Sequence, residues 1–133
     1  MLLGEMEYHK GNYDVAFSYL RESVQRCDNL HYSEPLPWMH PPRHALGALL
    51  LEQGHYEEAE EVYRVDLGLN DKAPRCAQHK NNVWALHGLV ECLKVRNEEI
   101  ERNLLQGILT EALSKTDLAI TSSCCCRKTA RTC

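Results

Sequence analysis

"YSEPLPWMHPPRHALGALLLEQGHYEEAEEVYR", Tyr32 to Arg64, joins two unlike halves. Its opening holds four of the chain's five prolines beside Trp38, Met39 and His40, and its remainder consists almost wholly of helix-forming residues. Two glycines organise that remainder. Gly47 sits inside an apolar run, where the lack of a side chain lets a second helix come close. Gly54 follows the run, where glycine closes a helix in the left-handed conformation. Glu57 and Glu58 then fall in the first turn of a new helix, favourable at its positive end. The stretch from His44 to Leu67 therefore predicts a helical hairpin.

The same spacing recurs on both sides. "LLGEMEYHKGNYDVAFSYL" repeats Leu46-Gly47 as Leu3-Gly4, Gly54 as Gly11, Tyr56 as Tyr13 and Ala59 as Ala16. In "ALHGLVECLKVRNEEIERNL", Trp84 and Gly88 hold the opening. There Val95 stands where the capping glycine was and Asn97 where the tyrosine was. Ile100 takes the Ala59 position and Leu104 that of Tyr63. Asn12 and Asn97 are placed to cap second helices, with Asp14, Glu98 and Glu99 in their first turns. Glu22 with Arg26 and Glu60 with Arg64 have i,i+4 ion-pair spacing.

The Leu-Gly, Gly-x-Tyr and x-x-Ala pattern resembles the tetratricopeptide repeat family. That resemblance implies an all-α, right-handed array of about three hairpins, near residues 1–28, 42–69 and 81–113. A cysteine-rich tail, 119–133, is expected to be disordered. Gly11 to Gly54 spans 43 residues and Gly47 to Gly88 spans 41, against a usual period of about 34. The surplus falls in "NLHYSEPLPWMHPP" and "GLNDKAPRCAQHKNN". The proline-rich stretch thus reads as a lengthened loop, with Trp38 and Met39 folding back as a lid and Pro41 and Pro42 starting a helix. "EPLPWMHPPRHALGALLLEQG", "VWALHGLVECL" and "SSCCCR" are further similar to the C-terminal part of larger repeat proteins. The chain is accordingly expected to be a fragment, opening inside a first helix.

The family geometry implies a concave groove lined by first helices. Its residues here would be Glu5, Tyr8 and His9, then His44, Ala48, Leu51 and Glu52, then Asn82, Ala85, Leu89 and Cys92. The expected function is a scaffold that holds a peptide of a partner, or of a missing N-terminal region. Members that grip chaperone carboxylate tails need a basic clamp. Glu5, Ala45, Asn82 and Leu86 stand at the matching positions, which argues against that ligand and for a basic or amphipathic peptide.

Charge supports the same choice. The 133-residue chain carries a net −4, and the tail contributes Arg127, Lys128 and Arg131 without an acid, so the rest carries −7. An acidic body is a poor match for nucleic acid or an anionic membrane. The N-terminus lacks the pattern of a signal peptide and no apolar run reaches membrane-spanning length, which points to the cytoplasm. Seven cysteines then read as reduced thiols.

Motifs of catalysis are missing. The sequence has no phosphate-binding glycine loop, no HExxH and no Gly-x-Ser-x-Gly elbow. His87 and Cys92 lie one residue off the spacing that would pair them on a helix. The chain is read as a non-enzyme without a cofactor. The rival reading is metal or thiol handling. Met39, His40 and His44 are soft-ligand types, though two intervening prolines fix no ligand geometry. Cys124 and Cys126 form a Cys-x-Cys pair that could chelate Zn or Cu(I) with a histidine. S-acylation beside Arg127 and Lys128 is the remaining option.

Overall fold

The computed structural model describes residues 1–30 and 40–127, and every regular element among them is helical. Helices α1 (Leu2–Lys10) and α2 (Tyr13–Asp28) form the first hairpin. Helices α3 (Pro42–Glu52) and α4 (Tyr56–Asp66) form the second, and α5 (Val83–Arg96) and α6 (Glu99–Leu113) the third. A short 3-10 turn, Arg75–Ala77, lies in the long connection before α5. Each helix packs on its hairpin partner, and α3 also packs on α2 and α5. The result is an α-helical repeat array. Trp38 and Met39, expected as a lid, lie outside the described residues. No helix among the described residues is long and apolar enough to cross a membrane.

The hairpin turns repeat with a constant period. Gly11, Gly54 and Asn97, each 43 residues after the last, have φ of 89°, 81° and 60°. Asparagine is among the few non-glycine residues that tolerate this region. Asn97 therefore closes α5, and Glu98 rather than Asn97 occupies the N-cap of α6. Asn12 does stand at the N-cap of α2, but its side chain donates to Glu7 (2.7 Å) instead of capping. Asn82 caps α5, accepting from the backbone N–H groups of Trp84 and Ala85 (3.0 and 3.2 Å).

Two interior glycines mark where Tyr63 enters. A Cβ on Gly47 would lie 2.6 Å from Cζ of Tyr63, and one on Gly88 would lie closer still. The fully buried Tyr63 ring is thus a wedge from α4 between α3 and α5. Gly4 meets Leu20 in the same way, its Cβ position 2.7 Å from Cγ. Around this wedge α3 is buried from Pro42 through Leu51. Each leucine so enclosed is stabilising by roughly 1.5–3 kcal/mol relative to exposure.

Second helices are stitched by charge. Arg21 of α2 makes a bidentate pair with Glu58 of α4 (2.7 and 2.8 Å), and Arg64 of α4 makes one with Glu101 of α6 (2.7 and 2.6 Å). Both pairs use the same two positions of the repeat. The expected Glu22–Arg26 and Glu60–Arg64 pairs are also present.

One expectation for the third hairpin is overturned. Ile100 and Leu104, expected at the buried Ala59 and Tyr63 positions, are 83% and 69% exposed. The cause is the length of α5, which continues to Arg96 where the pattern placed its cap at Val95. A two-residue delay turns the following helix by about 200°, and Leu105 and Leu109 become its buried pair.

Candidate functional site

The groove residues drawn from the sequence separate into two groups. Tyr8, His44, Ala48, Leu51, Ala85, Leu89 and Cys92 are buried. Tight packing of α3 against its neighbours takes most of them out of reach of a ligand. Glu5, His9, Glu52 and Asn82 keep surface. Tyr8 donates to Glu52 (2.7 Å) and accepts from Gln53 (2.7 Å), tying α1 to the end of α3. Asn82 is committed to its cap, while Glu5, His9 and, alongside its bond to Tyr8, Glu52 keep side-chain surface. An apolar cleft of about 780 Å³ lies elsewhere, between Leu2 and Leu3, Tyr19 and Pro42, with a rim at Leu30.

The tail does not follow the expectation of disorder between residues 122 and 127. Ser122, Ser123 and Cys124 are buried. The Ser123 and Tyr63 hydroxyls share a 2.6 Å hydrogen bond at the tip of the wedge. Arg127 Nη1 reaches both carboxylate oxygens of Glu91 on α5 (2.8 and 2.9 Å). Ser122 donates to the carbonyl of Cys124 (2.8 Å). A buried tyrosine hydroxyl needs a partner, and the tail supplies it. Residues 128–133 lie outside the described residues.

Where the tail meets His40, just before α3, polar side chains line up. Cys124 Sγ is 3.6 Å from Nε2 of His40, the ring of His40 is 6.3 Å from that of His44, and His44 Nε2 donates to Asp66 (2.9 Å). His79, from the long second connection, donates to the other oxygen of Asp66 (2.9 Å). Burial would push the Asp66 carboxyl up, but the two imidazole hydrogen bonds outweigh it and leave Asp66 lowered. Burial pushes His40 down, and the neighbouring His44 adds to this, while Glu5 opposes it. Burial also lowers His87, whose Nδ1 has no hydrogen-bond partner among the described residues.

Metal-ligand types meet at two points. His44, Asp66 and His79 bring their ligand atoms within 4.8 Å of one another. Both carboxylate oxygens are, however, spent on separate hydrogen bonds, an arrangement that anchors the second connection to α3. Of the loop set, Met39 lies outside the described residues, and His44 turns to Asp66. The other point is Cys124, whose sulfur lies beside that of Cys126 and 3.6 Å from His40 Nε2. Cys124 and Cys126 are joined in a disulfide, which corrects the reading of all cysteines as thiols. Cys27, Cys76 and Cys92 are free. Burial, with Glu60 and Glu91 nearby, pushes Cys92 up to about 12, so it stays a neutral core thiol. Neither the Asp66 anchor nor the docked tail was visible in sequence spacing, since both involve residues outside the helical periodicity.

Paired helices with left-handed turns at constant period and glycines admitting an aromatic wedge define a helical-hairpin repeat protein. Residues 1–65 match the tetratricopeptide repeat family, and this part of the chain belongs to it. Repeats of this family generally mediate protein–protein interaction. Neither a curated protein nor a solved structure matches the chain.

Proposed function

We propose that the chain is a non-catalytic interaction module that holds a basic peptide segment of a partner protein across α1 and α3, in the cytoplasm. The observation that carries this reading is the pair of surface carboxylates Glu5 and Glu52 on successive first helices of a tetratricopeptide array. His9 stands one turn from Glu5 on α1. Carboxylates on a partly shielded face favour Lys and Arg side chains and disfavour acidic tails. Nucleic acid, with its phosphate backbone, is excluded by the same charge.

The experiment is selection of displayed peptides of varied charge on the intact chain, at low and high salt. Basic sequences are expected to be enriched, with binding weakened by salt. A Glu5→Arg, Glu52→Gln variant with unchanged helical circular dichroism should lose about tenfold or more in affinity, an estimate for losing interfacial charge pairs. Enrichment of acidic peptides, or equal capture by the variant, would overturn the reading.

A further inference from the structure

We propose that Cys124, Cys126 and His40 form a site for a soft metal ion, Zn2+ or Cu+, when the cysteines are reduced. The argument begins with placement. The two cysteines lie two residues apart and their sulfurs are bonded to each other, so both sulfurs occupy one small volume from which reduction would free two thiols. His40 lies 84 residues earlier, just before α3, and presents Nε2 to Cys124 Sγ at 3.6 Å. A sulfur at about 2.3 Å and a nitrogen at about 2.0–2.1 Å from one tetrahedral ion stand about 3.6 Å apart. The separation in the structure is that of two ligands of a common ion.

The site is also built rather than incidental. Cys124 is 2% exposed and belongs to the hydrophobic core, while Cys126 packs against that core and keeps some surface. On one side the backbone is fixed by Ser123 on Tyr63, and on the other by Arg127 on Glu91. The Cys126 N–H points at Cys124 Sγ (3.2 Å), as backbone donors do around metal thiolates.

Charge then selects the occupant. Two thiolates in a buried position are costly without a cation. Zn2+ neutralises both and takes a fourth ligand from solvent on the accessible Cys126 side. Cu+ is satisfied by the three ligands alone. Both ions are thiophilic, whereas Mg2+ and Ca2+ prefer an all-oxygen shell. A lone hydrogen bond from imidazole to sulfur would give the same separation, and the measurement distinguishes the two.

The full chain is reduced, stripped of metal and titrated anaerobically, with Zn2+ against a chromophoric chelator and Cu+ against a copper(I) chelator. Co2+ is used as a spectroscopic stand-in for Zn2+. One ion per chain is expected, with thiolate-to-cobalt charge-transfer bands. Cys124→Ser/Cys126→Ser should abolish binding, and His40→Ala should weaken it about tenfold or more, by analogy with other perturbations of a metal site. Cys76→Ser, at an exposed free thiol, should leave it unchanged. Helical circular dichroism of each variant separates misfolding from ligand loss. Absence of stoichiometric binding of either ion, full-strength binding by folded His40→Ala, or equal loss in Cys76→Ser would overturn the site. Because no arm uses a peptide, failure here leaves the peptide-docking reading untouched.

Discussion

Helices α3 and α6 have similar apolar content and opposite fates. In α3 every residue from Pro42 to Leu51 is buried, whereas the longer α6 buries only Leu105 and Leu109. The sequences alone do not cause the contrast, since Ile100, Leu104 and Ile108 of α6 would make an ordinary core face. Position does. Neighbours α2, α4 and α5 surround α3, while α6 lies against α5 at the end of the described array. In a repeat protein, burial belongs to the interface between units more than to the unit itself.

The contrast can be tested by substitution. Leu50→Ala in α3 leaves a void in a fully buried site and should cost about 2–5 kcal/mol in urea unfolding. Leu104→Ala in α6 should stay within about 0.5 kcal/mol. Equal costs would mean that α6 is covered in solution. Gly88→Ala drives a methyl into the Tyr63 wedge and should cost about 1–3 kcal/mol. A neutral result would mean that α3 and α5 can part freely.

Tyr63→Phe tests whether the tail shares the cooperativity of the core. It strips Ser123 of its buried partner, and should cost about 1–3 kcal/mol. Trypsin should then cut faster after Arg127, which the wild-type tail holds against Glu91. Unchanged cleavage would show that the tail is held without the wedge.

The smallest effects are in pH. His40 and His87 have folded pKa values lowered from 6.5, chiefly by burial. Their neutral forms are favoured on folding, so their contribution is complete above pH 6.5 and is lost as pH falls from there through the folded values. Asp66 is lowered from 3.8, because two imidazole hydrogen bonds outweigh burial. Its contribution is complete above that value and is lost at still lower pH. Chemical denaturation across pH should show two separate declines, and Asp66→Asn should flatten only the lower one. A single decline, or flattening of the upper one by Asp66→Asn, would break this assignment.

How far the sequence could be read follows from the range of each signal. The turn at Gly54, the proline start of α3 and the three hairpins rest on local chemistry and were readable. Gly47 and Gly88 were readable as points of close approach, although what approaches is the ring of Tyr63. The face of α6 was misread because a delay of two residues in its start is invisible to spacing alone. The groove depends on a different signal. Lining positions taken from repeat geometry ignore how tightly neighbouring helices close, and this array closes over most of them. The histidine anchor joins a hairpin to the connection that follows it and the cysteine tail packs back across the array, and no helical spacing encodes either meeting.

The charge pairs between second helices have a consequence for how such an array could lengthen. Arg21 meets Glu58 and Arg64 meets Glu101 at the same offset of 37 residues. The middle hairpin thus carries both halves of the joint: the acceptor Glu58 toward the unit before it and the donor Arg64 toward the unit after it. A duplicate of that hairpin inserted in frame would find its own Arg64 facing a second Glu58. Duplication of one genetic segment would therefore deliver a matched seam at each new junction, with no compensating substitution at these two positions.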